Sequence, residues 1–561
     1  MIAIDERSII GETFFSAAEA YGDKAFLAVP ANPSRAYAAE GFEISYGAAA
    51  DGVKQLMSVY ANAGYGIGHR IGLLLENRPE HLLHKLAMNA LGVCCVPLNT
   101  DHRPGEMAFV IDHARIDLIV CIGALEGLVR AALAEAKQQP VVAVFEAIEA
   151  LEKFEATLQA PRQRATSTTP NAQTPASVLY TSGTTGRPKG CVLSHRYELA
   201  AGYWYATRDG LCSFGEGCER IYNPLPLFHV NASIFSFYAA MLKGNCQVQT
   251  DRFNTARWWT EVRESRATVV HYLGVVVPML LGQPESPMDR EHSVRFAIGA
   301  GVEPQRHAAF EARFGFPLLE IWGMTEMVRA MIDNHPPRQV GTRAFGRAQP
   351  GVEVRLVDDA DVDVPDRADG EMVIRHSAET PRKDFFSGYL DDAAATEQSW
   401  RGGWFHTGDI VMRTPDGMLH FVDRRKNIIR RSGENIAAAE VEALLQTHPL
   451  VDQVAVLALP DDIREEEVLA CIVLRADAVQ RDEEGNVDAA VRTLFDFCHS
   501  KLAYYKAPGW VWVTDSIPTT ATQKIQKHQI FPQGVDPRTL AGMRDLRSLK
   551  RRDAAPSNER K

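Results

Sequence analysis

No run of about 18 consecutive apolar residues occurs in the 561-residue chain, so no segment predicts a membrane-spanning helix. The richest apolar stretch, Leu273 to Leu281, is short and carries Pro278, which marks it as core. The opening Met-Ile-Ala-Ile-Asp-Glu-Arg has no basic region followed by a long apolar run and does not predict a secretory signal. Basic charge is in deficit: 60 Lys and Arg stand against 71 Asp and Glu, a net charge of -11. That disfavours a general nucleic-acid binder, which needs a basic surface. The nine cysteines include no paired CxxC motif, and their odd number leaves at least one thiol free. The expectation is a reducing cytoplasm, with Cys94 and Cys95 in the core. The final Glu-Arg-Lys is not a peroxisomal address, and no internal repeat is present. A Walker A loop is missing too, because Gly186 is followed by Arg-Pro-Lys-Gly.

In its place stands Thr181-Ser182-Gly183-Thr184-Thr185-Gly186-Arg187-Pro188-Lys189-Gly190, preceded by the strand-like Val178, Leu179 and Tyr180. Glycines let backbone N–H groups turn toward an anion, hydroxyls add donors, and Lys189 adds charge. The combination predicts a loop that holds polyphosphate.

The chain is too long for one compact core, and its pattern changes along its length. Ile71 to Leu75, Val93 to Leu98 and Leu118 to Ile122 read as buried strands. Between them Leu82, Leu83, Leu86, Ala87, Ala90 and Leu91 form a helical stripe, and Met107 to His113 also reads as helix. Strand, helix, strand with short connections predicts parallel α/β layers. Residues 156–176 read as an exposed connector. Val411 to Val422 predicts a hairpin turning at Pro415-Asp416-Gly417. Beyond residue 424, Ala438 to Leu445 and Val491 to Leu502 predict helices, and Val454 to Leu459 and Leu469 to Leu474 predict strands. The expectation is an α/β protein with a large N-terminal domain of layered α/β subdomains, 1–423, and a small mobile α+β C-terminal domain, 424–535. A polar basic tail, 536–561, reads as frayed.

The 181–190 string resembles the phosphate-binding signature of the adenylate-forming superfamily: acyl-CoA synthetases, adenylation domains and luciferases. Five further segments resemble that superfamily in the order it uses, over roughly residues 10 to 530. By that resemblance, Trp322-Gly-Met-Thr325-Glu326 places Trp322 against adenine, Thr325 on the α-phosphate and Glu326 on Mg²⁺. Gly299-Ala300-Gly301 would let adenine lie flat on the backbone. Asp409 would bond both ribose hydroxyls, joined by Arg424, and Asn427 would be the hinge of the small domain, where aspartate is usual. Ser432 and Gly433 would line the pantetheine tunnel. Lys524, preceded by Gln523 instead of the usual glycine, would be the catalytic lysine.

The resemblance implies two half-reactions, with ATP and Mg²⁺ as cofactors and CoA as co-substrate. A carboxylate attacks ATP to give an acyl-adenylate, and a thiol then displaces AMP. The chain ends soon after the lysine signature, which makes free CoA the expected acceptor. His229, in Pro226-Leu-Phe-His-Val-Asn231-Ala, would gate the acyl site. Asn231, Tyr272, Gly274, Ala300, Met324 and Val328 are the expected acyl-pocket lining. An aspartate pairs with the amino group in amino-acid adenylation domains, so Asn231 disfavours an amino-acid substrate. The runs Phe421 to Ile436 and Asp462-Ile-Arg-Glu465 resemble the crotonobetaine/carnitine-CoA ligase branch, but the neutral Asn231 argues against a betaine. Tyr203-Trp204-Tyr205 reads as helix packing in preference to an aromatic cage. The expected substrate is a short- or medium-chain acid. Expected partners are a small carboxylic acid, ATP and CoA, with no nucleic acid, no membrane span, and a homodimer left open. Two alternatives stand beside this: loading of a separate carrier protein, and an inactive nucleotide-binding interaction protein.

Overall fold

The computed structural model describes the chain apart from residues 182–187, 275, 303, 359, 425–427, 476–483, 519–524, 526, 528, 529, 533 and 552–561, with backbone only at 305, 423, 424, 428, 435, 437, 439 and 484–486. The chain divides into two compact units. The first comprises Met1–Thr100, Ala108–Thr181 and Gly190–Arg425, and the second Asp101–Met107, Ser182–Lys189 and Lys426–Lys561.

The first unit is built on two large sheets and one smaller one. A seven-stranded sheet runs Gly388–Tyr389, Lys189–Ser194, Pro175–Thr181, Cys94–Pro97, Arg70–Leu74, Leu118–Cys121, Val141–Val144. Arg70–Leu74 lies parallel to both neighbours, with Ile71 opposite Cys95 on one side and Leu118 on the other. All four residues of Cys94–Pro97 and of Leu118–Cys121 are buried. That is why these segments read as continuous apolar runs: helices cover both faces of such a sheet. The intervening helix is Pro79–Ala90, with Leu82, Leu83, Leu86 and Ala87 buried on the expected stripe. The next helix, Pro104–Ala114, starts three residues before the expected Met107, because proline suits a first helical turn whose N–H groups have no partner.

The second large sheet has eight strands in the order Met331–Ile332, Leu318–Trp322, Phe296–Ala300, Val269–Leu273, Arg220–Asn223, Cys246–Gln249, Ala25–Val29, Phe42–Ser45. A four-stranded antiparallel sheet contains Phe405–Arg413 and Leu419–Arg424, the expected hairpin, with Gly417 at positive φ in its turn.

A fully buried ion pair ties the layers of this unit together. Lys85, on Pro79–Ala90, donates to both carboxylate oxygens of Glu198, on the helix His195–Ala206, at 2.8 and 2.7 Å. Ser177, from the strand Pro175–Thr181, donates to the same carboxylate. No charge-patterning rule marks Lys85 and Glu198 as partners, since 113 residues separate them.

Among the described residues, the second unit has a six-stranded sheet and the helices Ala438–Leu445 and Glu484–Lys501. Val451–Asp461 and Glu465–Leu474 form its long hairpin, and Val454, Val456, Val468, Ala470 and Ile472 pack against Val491, Leu494 and Phe495. The frayed-tail expectation is corrected here for residues 536–551. Met543–Asp545 adds an antiparallel strand to Trp510–Val513, with Trp512 opposite Met543. Leu546 and Leu549 pack on the core of the unit, and Lys550 is buried. Polar composition concealed this, because the segment is held by ion pairs and edge pairing more than by apolar burial.

All nine cysteines are free thiols, and Cys94 and Cys95 are buried. Among the described residues no helix is long and apolar enough to cross a membrane.

Candidate nucleotide site

The strand Phe296–Ala300 runs parallel to Val269–Leu273 and Leu318–Trp322. It ends in Gly299-Ala300-Gly301, and two of those residues have to be glycine. A Cβ on Gly299 would lie 2.3 Å from the Tyr272 carbonyl oxygen, and Gly301 has φ +87°. The loop is held from below by Glu320, an acid within an otherwise apolar strand. Its carboxylate accepts from the Gly301 N–H at 2.9 Å, from the Val302 N–H at 3.4 Å, and from the Tyr272 hydroxyl. Burial raises the Glu320 pKa, while those donors pull the other way. Sequence reading passed over Glu320, although one acid in Leu318–Trp322 is itself a signal, since a buried carboxylate needs partners. The Tyr272 hydroxyl, expected in the acyl pocket, is committed to this support. The Gly274 N–H donates to Ala300 O at 2.9 Å.

Trp322 ends the neighbouring strand and is buried. Its indole N–H donates to Asp409 Oδ2 at 2.8 Å across 87 residues of sequence. Asp409 sits in Phe405–Arg413, next to Gly408 at φ +73° and opposite the Arg424 backbone. Thr407 Oγ accepts from the Asp409 N–H at 3.1 Å and donates to Met372 O at 2.6 Å, which fixes the turn. The two residues expected at adenine and at ribose are thus in direct contact. Tyrosine, commoner at the Trp322 position in the family that the sequence resembles, has no ring N–H to offer.

Glu326 follows on the loop beyond Trp322 and is buried. Tyr389 donates its hydroxyl to Glu326 Oε1 at 2.9 Å. Burial, then the Glu326 charge, push the Tyr389 pKa up, so it stays a donor. Tyr389 arrives on the short strand Gly388–Tyr389, which pairs antiparallel with Lys189–Ser194. The Thr325 carbonyl is held by the Tyr197 hydroxyl at 2.7 Å, and Tyr197 belongs to the helix that Ser194 caps. Neither tyrosine was legible as part of the site, because each reaches it from a distant element.

Thr181 ends the strand Pro175–Thr181, and Lys189 opens Lys189–Ser194. The glycine- and hydroxyl-rich loop therefore joins strand to strand, unlike a Walker A loop, which leads into a helix. Ser182, Gly183, Thr184, Thr185 and Gly186 lie outside the described residues, as do Asn427, Gln523 and Lys524, and the Arg424 side chain.

His229 is half-buried against the Phe228 ring, at 4.6 Å between centroids. Its carbonyl accepts from the Ser233 hydroxyl at 2.8 Å. Asn231 opens a π-helical turn, Asn231–Phe235, of a kind that often marks functional sites. Its Oδ1 accepts from Asn223 Nδ2 at 2.9 Å, and Asn223 continues through Ser236 to Gln247 and Gln249 in a buried amide chain. Tyr203-Trp204-Tyr205 serves as helix packing: Trp204 and Tyr205 are buried, Tyr205 meets His271 at 3.1 Å, and Tyr203 points outward.

In the second unit, Ser432 and Gly433 form the two-residue turn between Ile428–Arg431 and Glu434–Ala437, with φ +51° and +86°. Positive φ at both positions is the type I′ requirement, which serine meets only under strain. The Ser432 N–H donates to Arg464 O at 3.0 Å, and Arg464 Nη1 donates to Ser432 Oγ at 3.3 Å.

Comparison with known proteins agrees with these features. The AMP-binding enzyme family matches residues 14–390, and the AMP-binding enzyme C-terminal domain matches residues 440–524. Crotonobetaine/carnitine–CoA ligase of Citrobacter koseri is 29% identical over 534 residues, covering 91% of this chain and 97% of that protein. The ligase of the same name from Salmonella paratyphi A is 28% identical over 525 residues, with the same coverage. Among solved structures, a double mutant of o-succinylbenzoate CoA synthetase from Bacillus subtilis matches with a TM-score of 0.76 and 22% identity, covering 93% of this chain and 98% of that one. With a glycine-ended strand, a buried Trp322–Asp409 contact and a family match over most of its length, the chain belongs to the AMP-binding enzyme family.

Proposed function

We propose that this chain is an AMP-forming acid–CoA ligase acting on a short- or medium-chain carboxylic acid. The observation that carries the reading is the contact between Trp322 and Asp409, which brings two nucleotide motifs 87 residues apart into one buried cluster. The names of the relatives support the acceptor, since both are CoA ligases.

In the first half-reaction a carboxylate oxygen attacks the α-phosphorus of ATP as the bond to pyrophosphate breaks. Both reactants are anions, so positive charge must be supplied where they meet. Lys524 would bridge the carboxylate and the α-phosphate, with Lys189 and the loop Thr181–Gly186 orienting the leaving pyrophosphate. Trp322 and Gly299–Gly301 would sandwich adenine, Asp409 and Arg424 would take the ribose, and Thr325 the α-phosphate. Glu326 is a buried carboxylate steadied by Tyr389, a donor set suited to Mg²⁺, which pairs one or two carboxylates with phosphate oxygens and water. The ion would supply neutralisation of phosphate charge. In the second half-reaction a CoA sulfur attacks the acyl carbonyl, AMP leaves, and the thiol proton passes to solvent. The second unit would turn at Asn427, removing Lys524 and bringing Ser432 and Gly433 to the pantetheine path. His229 and the neutral Asn231 would bound an uncharged acyl group.

The test is a pyrophosphate-release screen over a panel of carboxylic acids, with and without CoA. The expected result is release with at least one acid, and AMP plus thioester once CoA is present. ATP binding without release for any acid would overturn the reading. An acyl-adenylate that persists with CoA but discharges onto a carrier protein would replace it.

Trp322 offers a second check. Phe at this position keeps an aromatic face but leaves Asp409 Oδ2 without its indole donor. A hydrogen bond to a charged group contributes about 1.5–3 kcal/mol, so Trp322→Phe is expected to weaken ATP binding about tenfold or more. Calorimetric titration with ATP measures this, and unchanged affinity would show that the Trp322–Asp409 hydrogen bond plays no part in nucleotide binding.

A further inference from the structure

We propose that the C-terminal segment, residues 536–551, is a strap that sets the Ser432–Gly433 turn for acyl transfer to the CoA thiol, with Lys550 and Arg547 as positioning residues. This rests on the reading of that turn as part of the CoA path. The strap lies beyond residue 524, where the family match ends, and its contacts run inward along two routes.

The first route is a buried ion cluster. Lys550, with a fully buried side chain, donates to the Glu467 carboxylate and, at 2.9 Å, to Tyr505 O. Glu467 is fully buried too, and accepts from Arg431 Nε at 2.7 Å. Arg431 is the residue immediately before Ser432. The cluster is shaped for this carboxylate: a Cβ on Gly509 would lie 2.4 Å from Glu467 Cδ. Glu467 therefore has two cations, one from the strap and one from the base of the turn. Removing Lys550 would leave Arg431 as its only cationic partner among the described residues.

The second route is exposed at its outer end. Arg547 lies over the Trp510 ring at 4.7 Å and donates to Asp461 Oδ2 at 2.7 Å. Asp461 Oδ1 accepts from the Ile463 and Arg464 N–H groups at 3.0 and 2.9 Å. Arg464 then holds Ser432 through both its carbonyl and its guanidinium. Both routes end on the Ser432–Gly433 turn, whose serine is in the left-handed region, where the backbone needs external support. The strand Met543–Asp545 and the Leu546 N–H to Gly509 O bond at 2.8 Å keep the strap seated between them.

Two half-reaction assays on the full-length protein separate this from a general loss of fold. Pyrophosphate release is followed without CoA, and thioester formation is followed from supplied acyl-adenylate and CoA. Arg547→Gln and Lys550→Met are each expected to slow thioester formation, or raise the KM for CoA, about tenfold, leaving pyrophosphate release within about twofold of the parent. Arg547→Lys, which keeps the cation near Asp461, is expected to recover most of the loss. The Arg547 variants decide the matter if the Lys550 variant does not fold, since Arg547 is 41% exposed. Unchanged thioester formation in Arg547→Gln overturns the strap proposal alone. Equal losses in both assays also overturn it, by reducing the segment to a stability element. Failure of the parent protein to release pyrophosphate with any acid defeats the ligase reading, and the strap role falls with it.

Discussion

Lys524→Ala is expected to lower the rate of acyl-adenylate formation about a thousandfold while leaving thioester formation from supplied acyl-adenylate nearly intact. A carboxylate approaching ATP brings anion to anion. One unit charge about 4 Å from the reacting atoms is worth about 4 kcal/mol at an effective dielectric near 20. Each 1.36 kcal/mol is a factor of ten in rate, which gives the predicted magnitude. The second half-reaction joins a thiol to an already activated carbonyl and does not need that charge, so it should survive. Quenched-flow measurement of pyrophosphate in the first assay, and of thioester in the second, reads the split. Equal loss in both would show that residue 524 is not the cation of the adenylation step.

The second large effect concerns stability. Lys85→Met should destabilise the first unit by about 3–5 kcal/mol, because it leaves Glu198 charged, buried and without its cation. The companion change Glu198→Leu should recover much of that loss in the double variant, since a buried ion pair and an apolar pair of similar size are often close in stability. Ser177 would lose its acceptor, so recovery should be incomplete. Denaturant unfolding of the two single variants and the double variant, followed by tryptophan fluorescence, gives the coupling directly. Additive losses would mean that the two side chains do not depend on each other.

Lys85 and Glu198 also show where sequence reading stops. The stripe Leu82, Leu83, Leu86, Ala87 was legible because apolar residues recur at helical spacing. Lys85, within it, looks like the helix's solvent face. Only the tertiary fold, which buries this helix nearly all round, turns it inward to a partner 113 residues away. Tyr389 and Tyr197 follow the same logic, because each reaches the Thr325–Glu326 loop from an element with no motif to announce it. Glu320 was closer to legible: an acid in a buried strand predicts donors, though it does not say which.

The sequence by itself determined the parallel α/β layering, the glycine-ended strand at Gly299–Gly301 and the hairpin from Val411 to Val422. Each is encoded locally, by the period of apolar residues or by residue types with special backbone freedom, while the family followed from the resemblance of whole motifs. Tertiary structure alone decided that Trp322 bonds Asp409, that Tyr389 holds Glu326, and that residues 536–551 fold back onto the second unit. Those contacts join side chains tens of residues or more apart, brought together as apolar layers pack, and burial then makes any polar group left without a partner costly. Spacing along the chain carries no record of that.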